Sequence, residues 1–272
     1  MKRLSLIVIV LFITAIASAQ DTLYIYKGGA IISKYAVAKV DSITFTPPAE
    51  PTSGTISDID GNVYHWITIG SQKWMVENLR TTKYRSGESI SCVTDNTTWS
   101  NASFGAYCYY NNSIGNNAQY GNLYNWYAVN DSRKIAPAGW HIPTNEEWNT
   151  MITYLVDNGY NADGSTTWNK VARSLAAKSN WATLANSGFS GLVYSIGYDL
   201  SKNNSTGFTA LPGGYRNNTG NFEGLSFFGY WWSATENDSK NGKDWYLYYP
   251  DSSISNSYSS KSYGYSVRCV KD

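Results

Sequence analysis

From Gly139 to Leu155 the chain reads GWHIPTNEEWNTMITYL, the one stretch where several independent local signals agree on a structure. Thr144 and Glu147 form an S/T-x-x-E capping box: the threonine oxygen accepts a free amide of the first turn, and the glutamate reaches back to the cap. Behind them Trp148, Met151, Ile152 and Leu155 fall at i, i+3, i+4 and i+7, while Glu146, Glu147, Asn149 and Thr153 take other positions. Pro143 excludes the α region for Ile142, so the chain approaches the cap extended. The spacing predicts a half-buried helix starting at Thr144. The remaining chain, mostly strand-like runs and polar loops, is expected to pack on it.

Residues 1–19 read as an export signal. Lys2 and Arg3 precede the apolar run Leu4 to Ile16, and Ala17-Ser18-Ala19 gives the small-x-small cleavage pattern before Gln20. A secreted or cell-surface location, with cleavage after Ala19, is therefore expected. No cysteine follows that site, so lipid attachment is not indicated, and no later apolar run approaches the ~20 residues that span a bilayer. Removing Lys2 and Arg3 from the 21 basic residues leaves 19 against 20 acidic, a net charge of −1, which offers no field to draw nucleic acid. The 11 Trp, 23 Tyr and 8 Phe sit among Asn, Ser, Gly and Thr, a mix that suits both exported β-rich domains and sugar-binding surfaces.

Cys92, Cys108 and Cys269 make an odd count, so in an oxidising compartment at most one internal disulfide forms. AYCYY and SVRCV read as strands that can neighbour each other in one sheet, which favours Cys108 with Cys269. The alternative is three small buried thiols with no bond.

Leu23 to Tyr26 and Ala30 to Ile32 flank Lys27-Gly28-Gly29, a hairpin signal, and a third alternating run covers Val40 to Phe45. TPPAEPTSG, from Thr46 to Gly54, has linker composition. The expected organisation is a small β-hairpin module over 20–46, a linker over 47–56 and a main domain over 57–272. In that domain Val63 to Ile69 and Lys73 to Val76 read as antiparallel strands, and LYNWYAV, 123–129, as a short helix. A second amphipathic helix is predicted over Thr167 to Lys178, carrying Trp168, Val171, Ala172 and Leu175. Aromatic strands follow at 207–216, 229–236, 244–249 and 263–272. This order predicts an α+β fold with two main helices packed on a twisted, mostly antiparallel sheet, with long polar loops.

The blocks DIDGNVYHWITIGSQKWMVENLRTTKY, YGNLYNWYAV, APAGWHIPTNEEW, GFTALPGGYR, GYWWSATE and GYSVRCVKD, in this order, resemble the Fibrobacter succinogenes major paralogous domain of exported bacterial proteins. That family in turn resembles the C-type-lectin-like fold and the formylglycine-generating enzymes. The resemblance implies a C-type-lectin-like fold of two helices and a twisted antiparallel sheet whose ends meet. Many family members carry a cysteine where this chain has Ala136, so a disulfide from that position is impossible here.

The reactive cysteine pair of the formylglycine-generating enzymes has no counterpart in Leu211 to Glu236, and thiolate chemistry needs both sulfurs. With two histidines, His65 and His141, a His-rich zinc site is excluded, and His141 reads as a packed hydrogen-bonding group. Two constellations are candidates for binding. Glu236, Asn237, Asp238, Asn241 and Asp244 place oxygen ligands on a loop between late strands, as calcium requires, although a polar hairpin turn is the favoured reading of the same residues. Tyr215, Arg216, Tyr230, Trp231, Trp232 and Trp245 combine rings with an arginine as a ligand platform, the competing reading being burial.

The expectation is a non-catalytic exported binding or adhesion module that meets a glycan or a surface protein through its late loops, with calcium as a candidate cofactor. A carboxylate-dependent hydrolase or modifying enzyme is the second reading. A structural subunit that donates its N-terminal hairpin to a neighbour is the third.

Overall fold

The computed structural model describes residues 22–27, 30–39, 52–184 and 192–272. The chain divides into two compact units between Glu50 and Pro51. In the first, β1 (Thr22–Lys27) and β2 (Ala30–Ala36) pair antiparallel. The expected export signal, the run from Val40 to Phe45 and the first part of the linker lie outside the described residues.

Strands of the second unit begin with β3 (Ser53–Ser57), β4 (Val63–Ile69), β5 (Gln72–Met75), β6 (Ser91–Cys92), β7 (Ala106–Cys108), β8 (Leu123–Tyr124) and β9 (Trp140–His141). They continue with β10 (Gly213–Arg216), β11 (Phe222–Leu225), β12 (Phe228–Glu236), β13 (Asn241–Tyr248), β14 (Ser255–Ser260) and β15 (Val270–Lys271). One sheet has the order β3-β4-β5-β15-β9, a second β11-β10-β12-β13-β14, and a smaller third β6-β7-β8. The C-terminal β15 thus closes onto early strands, Val270 lying opposite Trp74 on one side and His141 on the other. Strand β3 begins inside the stretch read as linker, where Ser53 lies opposite Ile67.

Helices α1 (Asn96–Ser100), α2 (Asn117–Tyr120) and α3 (Trp126–Val129) are single turns or little more. Among the described residues only α4 (Asn145–Asp157) is long, and its start is the capping box read from the sequence. Thr144 Oγ1 accepts the Glu147 amide at 3.2 Å, and Glu147 Oε2 accepts the Thr144 amide at 2.8 Å. Trp148, Met151, Ile152 and Leu155 are its buried face. They share one core with Trp74 and Val270 of the first sheet and with Trp231, Trp245 and Leu247 of the second. Each such side chain contributes roughly 1.5–3 kcal/mol by leaving water. The Trp148 ring lies 4.8 Å from Trp74 and 5.9 Å from Trp245, so it ties the two sheets together.

The α+β, C-type-lectin-like expectation with two main helices does not hold. The protein is mostly β, 33% strand and 20% helix, built on two curled half-barrel sheets. The predicted helix over 167–178 shrinks to α5 (Ala172–Leu175). Asn161 is the cause at one end: its Nδ2 donates to the carbonyls of Ser165 and Trp168 at 2.9 Å, fixing a loop in which Trp168 has φ +65° and is 81% exposed. At the other end Ala176 turns extended and bridges Ala210. Local spacing buried Val171, Ala172 and Leu175 as expected, but side-chain and cross-chain bonds took the backbone that a longer helix needs.

Candidate functional site: a tyrosine face with a buried carboxylate

Strands β12 and β13 are both rich in aromatic residues, and the antiparallel register sorts those residues between two faces. Trp231 lies opposite Trp245 on the covered face, both in the core under α4. One residue away, Phe228 faces Tyr248, Tyr230 faces Tyr246, and Trp232 faces Asp244 on the other side. There Phe228, Tyr230, Tyr246 and Tyr248 are only half-buried. The Phe228 and Tyr248 rings stack at 4.2 Å and 4°, and Tyr230 lies 5.2 Å from Tyr246. Strand β10 adds Tyr215, 5.1 Å from Tyr230, and the closing segment adds Tyr263, 6.2 Å from Tyr215. Burial, and for Tyr215 the bond its hydroxyl donates to Glu223 at 2.8 Å, raises the Tyr215 and Tyr230 phenols, so these two remain neutral donors.

Asp244 lies at the deep end of this face and is fully buried. Neither carboxylate oxygen has a hydrogen-bond partner among the described residues. Burial pushes its pKa up to about 6, with Ser259 and Lys243 offsetting only part of that. The Ser259 hydroxyl is engaged with the Tyr265 hydroxyl at 2.8 Å, and Tyr265 stacks on Tyr230 at 4.7 Å.

The expected platform is therefore split. Tyr215 and Tyr230 reach the open face, whereas Trp231, Trp232 and Trp245 are core residues. Arg216 is fully buried: it donates to the carbonyls of Gly220 and Val93 at 2.8 and 2.6 Å and stacks on Trp99 at 4.5 Å. Phe228, Tyr246, Tyr248 and Tyr263 were missed, and the two-residue period in FGY and YLY was the signal for the first three.

The oxygen set read as a calcium site is also dispersed. Glu236 pairs with the Lys261 ammonium, which also donates to the Ser239 carbonyl at 3.0 Å. Asp238 is the cap of the β12–β13 turn: Asn241 Nδ2 donates to it, as do the amides of Lys240 and Asn241 at 2.8 and 2.9 Å, and these bonds hold its pKa below the usual range. Asn237 donates to Asp238 at 2.8 Å, and Asp244 is on the sheet rather than in the loop. No group of three or more His, Cys, Asp or Glu side chains gathers for a metal among the described residues.

The three cysteines are free: Cys108 lies on β7 and Cys269 beside β15, in different sheets and different core clusters, which keeps the favoured pair apart. His141 bonds Asp272 through Nδ1 and Glu147 through Nε2, each at 2.7 Å, at the rim of a cleft of about 350 Å³. Both ring nitrogens therefore face carboxylates. Arg85 fastens the neighbouring loop by donating to the carbonyls of Ala136, Pro137 and Trp140 at 3.1, 2.8 and 2.8 Å.

Among the described residues no helix is long and apolar enough to cross a membrane. No curated protein and no solved structure matches the chain. Residues 67–271, which carry both large sheets except β3 and the start of β4, match the model of the Fibrobacter succinogenes major domain, and the chain belongs to that family.

Proposed function

We propose that the chain is an exported, non-catalytic module that binds carbohydrate on the tyrosine face of β10, β12 and β13. The observation that carries this reading is the in-register pairing of Phe228 with Tyr248 and Tyr230 with Tyr246, all half-exposed on adjacent strands. Rings held at fixed spacing offer the apolar surface their neighbours leave uncovered to the C–H faces of sugar rings, while the tyrosine hydroxyls offer hydrogen bonds. Because each ring is already packed against a neighbour, little side-chain freedom is lost on binding. Contact through this face replaces contact through the late loops, whose carboxylates are committed to Lys261 and to the turn itself. Binding on this reading does not need calcium.

A glycan array followed by calorimetry, with calcium and with a chelator, tests it. Tyr230→Ala and Tyr246→Ala each weaken binding about tenfold or more, the scale of one lost stacking contact of about 1.5 kcal/mol. The reading fails if no glycan binds, or if both variants bind as the wild type does. Loss of binding on chelation alone would return the site to the oxygens of residues 236–244.

A further inference from the structure

Among the described residues three arginines are buried, and one of them, Arg173, has a nitrogen without an acceptor. Arg216 and Arg268 are fully buried but well supplied. Arg216 donates to three carbonyls and to Asn96 Oδ1, and Arg268 donates to Asn78 Oδ1 and two carbonyls while stacking on Phe208 at 4.3 Å. Arg173, on α5, is 6% exposed and has far less. One terminal nitrogen donates to the Val193 carbonyl at 3.1 Å, the other reaches the Asp199 carbonyl only at 3.5 Å, and Nε has no acceptor among the described residues.

Arg173 is one of the residues lining a cleft of about 440 Å³, with Lys202, Ser205, Asn158 and Ser174. Lys202 is well exposed, and its ammonium is 3.8 Å from Asp199, a loose pair. The other Asp199 oxygen is taken by the Ser201 amide and hydroxyl at 3.1 and 2.6 Å. The wall is rigid before any ligand arrives: Asn161 knits its loop by donating to Ser165 and Trp168 and accepting from the Lys170 amide at 2.8 Å. A desolvated guanidinium short of acceptors is held at a cost that a nearby bound anion would reduce through its charge and charge-assisted bonds. The volume suits a small molecule.

We propose that this cleft binds an oxyanion, the carboxylate, sulfate or phosphate of a small polar molecule, between Arg173 and Lys202. The site shares no residue with the tyrosine face, so either can fail without the other.

Calorimetry and amide NMR at low ionic strength, with sodium sulfate, sodium phosphate and glucuronate titrated separately against a sodium chloride control, test the proposal. Saturable binding is expected, with shifts confined to residues 158–162, 173–174 and 202–205. Lys202→Ala weakens it about tenfold, the effect of one charge-assisted bond, and Arg173→Met abolishes it. Tighter binding of glucuronate would assign a sugar acid, and equal or tighter binding of sulfate or phosphate an inorganic or phosphorylated ligand. Should Arg173→Met not fold, the surface variant Lys202→Glu carries the test. No saturable binding of any of the three anions, or binding unchanged in both Lys202→Ala and Lys202→Glu, overturns the proposal.

Discussion

Glu147 Oε1 sits 2.7 Å from His141 Nε2 while its Oε2 accepts the Thr144 amide at 2.8 Å, so one carboxylate starts α4 and fastens it to β9. His141 passes the link on to Asp272, beside β15. Both carboxyl oxygens are needed. Glu147→Gln keeps a cap but turns one acceptor into a donor, and it is expected to lose about 1 kcal/mol; Glu147→Ala loses roughly 1–2 kcal/mol. Urea unfolding of the two variants beside Thr144→Ala checks this. Equal stability of Glu147→Ala and the wild type would show that the link carries nothing.

Trp148 is the residue whose loss both large sheets should register. It is fully buried and meets Trp74, Trp231, Trp245 and Phe208. Trp148→Ala is expected to cost about 3–5 kcal/mol. Trp168→Ala, on the exposed loop, should stay within about 0.5 kcal/mol. Denaturant midpoints of the pair separate a keystone tryptophan from an ornamental one, and similar losses for both would contradict the packing described.

What could be read from the sequence is what local chemistry decides alone. Thr144, Glu147 and the Trp148 face need only neighbours within two turns, so the cap and the helix were legible. The helix over 167–178 was not, because its end is set by Ala210, which meets Ala176 only in the folded chain, and its start by side-chain bonds of Asn161 that the apolar spacing does not reveal. Alternation in β12 and β13 was visible, but which parity faces the core depends on where α4 lands. Trp231 and Trp245 therefore looked as available as Tyr230. Asp244 was read with the loop because its sheet register opposite Trp232 has no local signature.

The thiols give a direct count. Cys92 is exposed, while Cys108 and Cys269 are buried, and burial pushes the Cys108 thiol up to about 12 and that of Cys269 higher still. Thiolate is the reacting form. Without reductant, one thiol should react with a disulfide reagent in the native protein and all three after unfolding. A single reacting thiol in the unfolded, unreduced chain would mean that a disulfide does form.

Asp244 predicts an unusual pH response. Its folded pKa of about 6 lies above the usual 3.8, so the folded chain binds this proton more tightly than the unfolded chain does. The group's contribution is therefore most favourable below about pH 4, declines as pH rises to about 6, and is constant above that. At ~1.4 kcal/mol per unit the full swing is about 3 kcal/mol. Asp60, Asp131, Asp163 and Asp238 are shifted downward and act in the opposite sense, so the total curve will not isolate the effect. The difference between wild type and Asp244→Asn does. Measured by urea unfolding, the variant should gain on the wild type by up to about 3 kcal/mol between pH 4 and pH 7. Burial raises the Tyr230 and Tyr265 phenols beside the site and Ser259 carries no charge, so a difference that stays flat would mean that the Asp244 carboxylate is hydrated or paired after all.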